Sequence, residues 1–202
     1  MRLVVASHNR DKLRELRALL DRPLVELVSL ADVARGPAPE ESGETLHENA
    51  RIKARAACRL TGLPSVADDT GLEVDALEGR PGVHAARYAG PGATYARNVE
   101  RLLAELAGVP PERRTARFRT VCVACFPGGE EVTAEGVLEG RIAERPRGAG
   151  GFGYDPVFEV EGLGRTLAEL SAGEKNALSH RARAVRALRG ELDHALRWGA
   201  AP

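Results

Sequence analysis

The sequence predicts an α/β fold built on a mixed sheet, and three observations carry that prediction. Short apolar, β-branched runs alternate with stretches of helical apolar spacing over the first half of the chain. Two longer strand-like segments then flank Pro127-Gly128-Gly129, and a hairpin there adds antiparallel pairing to an otherwise parallel pattern. The last third returns to helix. At 202 residues there is room for one sizeable domain, or two lobes sharing a core. No repeat, low-complexity tract or linker divides it, so residues 1–202 read as a single domain.

Each element has a local signal. Residues 2–6 form a short apolar run, and 10–20 place Leu13, Leu16, Leu19 and Leu20 at helical spacing. A second strand is expected over 24–30, and a loop with Gly36, Pro37 and Pro39 over 34–43. Thr45 followed by Glu48 has the form of a capping box, and the Ala-rich sequence after it predicts helix to Leu60, ended by Gly62 and Pro64. Residues 65–67 read as a strand ending at Asp68-Asp69, and 72–77 as another before the turn at 78–82. A helix is expected over 94–107, hairpin strands over 116–126 and 131–142, and a glycine-rich loop over 148–156. Thr166/Glu169 and Ser171/Glu174 are two further capping boxes, with helix expected through Arg189 and again over 191–198.

Composition narrows the function. Net charge is zero, which argues against a general nucleic-acid or membrane-surface binder. No signal peptide is recognisable, and no apolar stretch approaches the ~20 residues of a membrane span. Three cysteines suggest reduced thiols and a cytoplasmic setting. Cys122 and Cys125 lie in a predicted strand, where i and i+3 face opposite ways, so they read as core thiols and not as a zinc site. Only three of the 29 basic residues are lysines: Lys12, Lys53 and Lys175. In so arginine-rich a chain, lysine marks places where a compact point charge fits and a planar fork does not.

Four clusters carry chemistry. Ser7, His8, Asn9, Arg10, Asp11 and Lys12 lead from a strand into a helix N-terminus, where backbone N–H groups and the dipole favour an anion. The spacing is not that of a Walker A loop. Glu40-Glu41 and Asp68-Asp69 are acidic pairs on either side of the helix bearing Asn49 and Lys53. Such carboxylates suit Mg²⁺, and one of them can deprotonate a water. The loop carrying Phe152, Gly153, Tyr154 and Asp155 can bring backbone close to a ligand and stack an aromatic ring on a nucleobase. Lys175, Ser179, His180 and Arg181 complete the set, with donors suited to a purine keto edge.

The ordered segments SHNRDKLREL, EESGETLHENARIKA, PSVADDTGLEVDALEGRPGVHAARYAG, GGFGYDPVF and EKNALSHRARA resemble the inosine/xanthosine triphosphate pyrophosphatases over about residues 2–190. The resemblance implies an elongated mixed sheet with flanking helices and two lobes around a nucleotide-binding cleft. It implies a Mg²⁺-dependent homodimer that splits ITP, dITP and XTP into monophosphate and pyrophosphate. Carried over by motif, Ser7 to Lys12 hold the triphosphate with Lys53 and Lys175. Glu41, Asp68 and Asp69 manage the metal, with Glu41 preferred over Glu40 for its spacing to Lys53. Asp69 is the base, with Lys53 beside it, and Thr70 touches substrate. Phe152 stacks on the base, Gly153, Tyr154 and Asp155 complete that loop, and His180 and Arg181 read the 6-keto group. The first motif departs from the family's usual pattern at His8. The rival readings are a pyrophosphatase of different base preference and a nucleotide-binding protein without catalysis.

Overall fold

The structure is a computed structural model that describes residues 2–21, 23, 25–34, 39 and 41–198, the last six of these by backbone only. Its strands are β1 (Arg2–Val5), β2 (Glu26–Ser29), β3 (Ser65–Val74), β4 (Pro81–Gly82), β5 (Thr115–Cys125), β6 (Glu131–Ile142) and β7 (Phe158–Val160). The helices are α1 (Arg10–Leu20), α2 (Leu30–Val33), α3 (Leu46–Thr61), α4 (Tyr95–Glu105), α5 (Ala172–Leu178) and α6 (His180–Trp198). The strands form a sheet in the order β2-β1-β3-β5-β6-β7, with β4 paired to β3. The α/β class and the mixed sheet stand as the sequence predicts. The chain divides into two compact units, 1–69 with 120–136 and 181–202, and 70–119 with 137–180.

In the first unit, β1 pairs in parallel with β2 on one side and β3 on the other. The connection through α1 steps outward to β2, and the connection through α3 steps back past β1 to β3. Right-handed crossovers running in opposite directions place α1 and α3 on opposite faces of the sheet. Side chains alternate along β3, so Val66 and Asp68 face one way and Ala67 and Asp69 the other. The packing agrees: Val66 shares a core with Leu16 and Leu20 of α1, Val185 and Leu188 of α6, and Leu3, Val5 and Cys122 of the sheet.

In the second unit, Leu72, Val74, Phe118, Ile142 and Phe158 from the strands pack with Leu102 and Leu106 of and after α4. Buried Arg114 donates to the carbonyls of Leu106 (2.8 Å) and Val109 (2.9 Å), satisfying acceptors that the end of α4 leaves open.

Four differences from the sequence reading bear on the site. First, β3 is one strand of ten residues, so Asp68-Asp69 lies inside it and not at a strand end. The pair reads as a turn because aspartate is a poor strand former, and buried cations reverse that preference here. Second, the helix expected through Ser179 breaks there. Ser179 caps α5 with extended backbone (ψ 158°), so it does not share a helix face with Lys175. Third, the strand expected over 24–30 ends at Ser29, because Ser29 opens α2 in a capping box with Asp32; Leu24 lies outside the described residues. Fourth, 75–77 is a 3₁₀ turn and not strand. Of the loop at 34–43, residues 35–38 and Glu40 lie outside the described residues.

Candidate active site

The first unit gathers two of the three lysines on the acidic pair. Lys12, one turn into α1, reaches Asp68 Oδ2 at 3.3 Å. The same oxygen accepts from Arg181 Nε (3.1 Å) and Nη2 (3.0 Å). Arg181 also donates from Nη1 to Glu15, and its side chain is 2 % exposed, so this is a buried charge cluster and not a solvated helix face. On the opposite face of β3, Lys53 Nζ donates to Asp69 Oδ1 at 2.6 Å and lies 3.4 Å from Glu41 Oε1. The alternation of β3 thus deals its two aspartates to two different sets of cations.

Electrostatics separates the aspartates. Burial pushes Asp68 up, but Lys12, Arg181 and Lys53 outweigh it and hold the carboxyl well below its ordinary range. Burial also pushes Asp69 up, and there Lys53 and Lys12 offset it only in part, so Asp69 ends above the ordinary value. Burial opposes the charge on Lys53, yet Asp69, Asp68 and Glu41 prevail and raise its affinity for the proton. Burial lowers Lys12, with Asp68 opposing. A buried carboxylate with raised proton affinity beside a firmly charged lysine is equipped to take a proton from water.

The N-terminus of α1 is more self-contained than expected. Asn9 Oδ1 accepts from the N–H groups of Asp11 (2.9 Å) and Lys12 (3.2 Å), and Ser7 Oγ accepts from Asn9 N (3.3 Å). His8 and Arg10 are exposed beside them.

Glu41 is placed by a ladder of side-chain acceptors on α3. Glu48 Oε2 accepts from Glu44 N (2.8 Å) and Thr45 N (3.0 Å), and Asn49 Oδ1 accepts from Gly43 N (2.9 Å). A Cβ at Gly43 would lie 2.6 Å from Glu48 Cβ and 2.7 Å from Asn49 Oδ1, so only glycine fits. Asn49 is fully buried, and its Nδ2 has no hydrogen-bond partner among the described residues.

Glu41 and Asp69 meet at one ammonium and supply hard oxygen ligands, the donor set that suits Mg²⁺ with one or two carboxylates. Asp68, expected with them, is instead committed to Lys12 and Arg181 on the other face. Among the described residues no group of three or more His, Cys, Asp or Glu is placed to hold a metal. The three cysteines are free and buried, which fits core thiols; burial pushes Cys122 up, and burial with Glu131 pushes Cys125 up to about 12.

The second unit holds the glycine-rich loop. Asp155 Oδ2 accepts from Phe152 N (2.8 Å) and from Lys175 Nζ, which lies 4.7 Å over the Phe152 ring. Gly151 has φ +68°, and a Cβ on it would fall 2.1 Å from Asp155 Oδ2. The loop is therefore clamped with Phe152 half-buried and Gly153 at its turn (φ +64°). Lys175, expected on the triphosphate, is a buried partner of this loop. Tyr154, expected to touch substrate, is core: it is 5 % exposed and donates to Ala85 O at 2.8 Å. His180, expected to read a base edge, is 3 % exposed and stacks on Phe118 with centroids 4.6 Å apart. Arg181, expected to read the same edge, donates to Asp68 and Glu15. Thr70 is half-buried on β3, next to Asp69 in sequence.

Two residues escaped the sequence reading. Glu15 had the signal of a carboxylate one turn from Lys12, but its partner is distant in sequence. Tyr95, 44 % exposed at the start of α4, packs its ring 5.9 Å from that of Phe152. Nothing local announces that pair.

Residues 3–191 match the Ham1 family. A dITP/XTP pyrophosphatase of Geobacter sulfurreducens is 52 % identical over 191 residues, covering 95 % of this chain and 96 % of the relative. One from Symbiobacterium thermophilum is 54 % identical over 184 residues, 91 % of each. Among solved structures, the HAM1 protein from Coxiella burnetii superposes with a TM-score of 0.86 at 41 % identity, covering 96 % of this chain and 99 % of that one. The Ham1 protein of Staphylococcus aureus gives 0.86 at 35 % identity, covering 96 % and all of that chain. A family match over almost the whole length, with relatives at about half identity, places this chain in the Ham1 family.

Proposed function

We propose that this chain hydrolyses non-standard purine nucleoside triphosphates, ITP, dITP and XTP, to the monophosphate and pyrophosphate. Family membership and the activity named for its relatives support the reading. The observation that carries it at the site is the buried Asp69, raised in proton affinity, held at 2.6 Å by Lys53 with Glu41 on the same ammonium.

Hydrolysis at a phosphoryl centre needs positioning and charge neutralisation more than covalent catalysis. Asp69 takes the proton of the attacking water. Lys12 and Lys53 neutralise phosphate oxygens as charge builds on the leaving pyrophosphate. Glu41 and Asp69 would hold Mg²⁺, which when bound supplies further charge neutralisation. Asp68 acts at one remove, keeping Lys12 oriented. Phe152 stacks on the base, and Lys175 and Asp155 hold its loop. Base-edge reading is not carried over to Arg181, whose N–H groups serve Asp68 and Glu15.

The resemblance further supports a homodimer and a cytoplasmic setting. No described helix is long and apolar enough to cross a membrane.

Incubation with ITP and Mg²⁺, followed by product separation, tests the activity. IMP and pyrophosphate are expected; IDP and orthophosphate would overturn it. A panel of nucleotides at equal concentration distinguishes purine preference from another base preference.

A further inference from the structure

Asn49 is the one fully buried polar side chain of α3, and the chemistry assigned above leaves it without a task. Its acceptor half is used: Oδ1 takes the N–H of Gly43 at 2.9 Å. Its donor half, Nδ2, has no hydrogen-bond partner among the described residues. A buried amide with an unmet donor lowers stability, so the fold itself gains little from asparagine at this point.

What Asn49 does hold is the approach to Glu41. Gly43 lies too close to α3 for any Cβ, and only Asn49 engages its N–H among the contacts described. Glu41 is two residues upstream of Gly43 and reaches Lys53, one helical turn beyond Asn49. Asn49 therefore holds the part of the segment nearest Glu41, which reaches the ammonium shared with Asp69. Without it, Glu41 would depend on the 43–45 backbone being held by Glu48 alone.

We infer that Asn49 is a positioning residue, acting through the N–H of Gly43 to keep Glu41 in reach of Lys53 and Asp69. The inference rests on the reading of Glu41 and Asp69 as the carboxylates that take a divalent cation. A role in the fold alone predicts that removing Asn49 lowers stability. Positioning predicts the opposite pattern: stability held, cation binding and turnover impaired. Gly43 is half-buried, so water can replace the lost acceptor.

The test is Asn49→Leu, compared with Glu41→Gln and with the double variant. Mn²⁺ titration of each protein without nucleotide, followed calorimetrically, reads cation affinity independently of catalysis. Asn49→Leu is expected to weaken Mn²⁺ binding about tenfold with Tm unchanged or higher. It should also lower kcat for ITP in the native background and have no further effect on affinity or kcat in Glu41→Gln. Gly43→Ala, which pushes the same segment off α3, should reproduce the loss. The inference is overturned if Asn49→Leu lowers Tm with Mn²⁺ affinity intact. It is equally overturned if the variant weakens Mn²⁺ by the same factor whether or not Glu41 is present. Failure of the native protein to release pyrophosphate would count against the proposed activity and leave the Mn²⁺ comparison to decide the role of Asn49.

Discussion

Asp68 and Asp69 are neighbours in sequence with opposite electrostatic fates, and each fate makes a prediction. Asp68 has a depressed folded-state pKa, so it contributes stability that is fully present above the unfolded carboxylate value and lost as pH falls toward the folded one. Asp68→Asn takes from half-buried Lys12 and buried Arg181 the carboxylate they share, leaving Arg181 with Glu15, and should cost about 3 kcal/mol at neutral pH. The gap to the native protein should narrow below about pH 4, where Asp68 takes up a proton in the unfolded chain while it stays ionised in the folded one. Denaturant melts at several pH values measure it; a gap independent of pH would remove Asp68 from this role. Asp69 has a raised pKa, so a base at this position gives a kcat/KM that climbs with pH through that value. Lys53→Met removes the charge that opposes the rise, and the acid limb should move to higher pH. A limb that stays in place would show that another group is the base. Asp69→Asn should reduce kcat by at least about 10²-fold, the lower range for a lost general base, with the fold kept by far-ultraviolet dichroism.

At the scale of elements, the loop that carries Phe152 is held by one carboxylate oxygen shared between a backbone N–H and Lys175. Gly151→Ala would drive a methyl group into that carboxylate and should raise KM for ITP in the same direction as Phe152→Ala. Stacking on a base is worth about 1–3 kcal/mol, roughly 5- to 150-fold in affinity. Steady-state kinetics on both variants checks this, and an unchanged KM in both would return Phe152 to the core. The elements also show what could be read from sequence. α1 starts and stops where its leucine spacing and Asn9 cap say, and α3 runs from its capping box to Gly62, which takes the left-handed conformation at φ 67°. These signals are local, so one sequence suffices. The continuity of β3 through Asp68-Asp69 was not legible, because the cations that stabilise those aspartates come from α1, α3 and α6. The burial of Tyr154, Lys175, His180 and Arg181 was missed for the same reason. Their residue types say donor or ring, while their partners, Ala85, Asp155, Phe118 and Glu15, lie elsewhere in the chain. Residue type was therefore legible where long-range partners were not.

At the scale of the molecule, neither compact unit is a contiguous stretch of chain. The division passes after residues 69, 119, 136 and 180, so each unit is assembled from separate segments. A fragment of residues 1–119 lacks the 120–136 and 181–202 portions of the first unit, including the Val185 and Leu188 side of its core. It should show no cooperative thermal transition by circular dichroism, whereas the whole chain should. The opposed crossovers around β1 have a consequence for how this sequence tolerates length change. A residue inserted at 62–64, between α3 and β3, only lengthens a connection. The same residue inserted between Ser65 and Asp68 rotates everything after it by half a period of the pleat. The carboxylate destined for Lys53 would then turn toward α1 and α6, and the one buried against Arg181 would turn toward α3. The chemistry of this protein is thus written in a two-letter reading frame, and β3 is where that frame is kept.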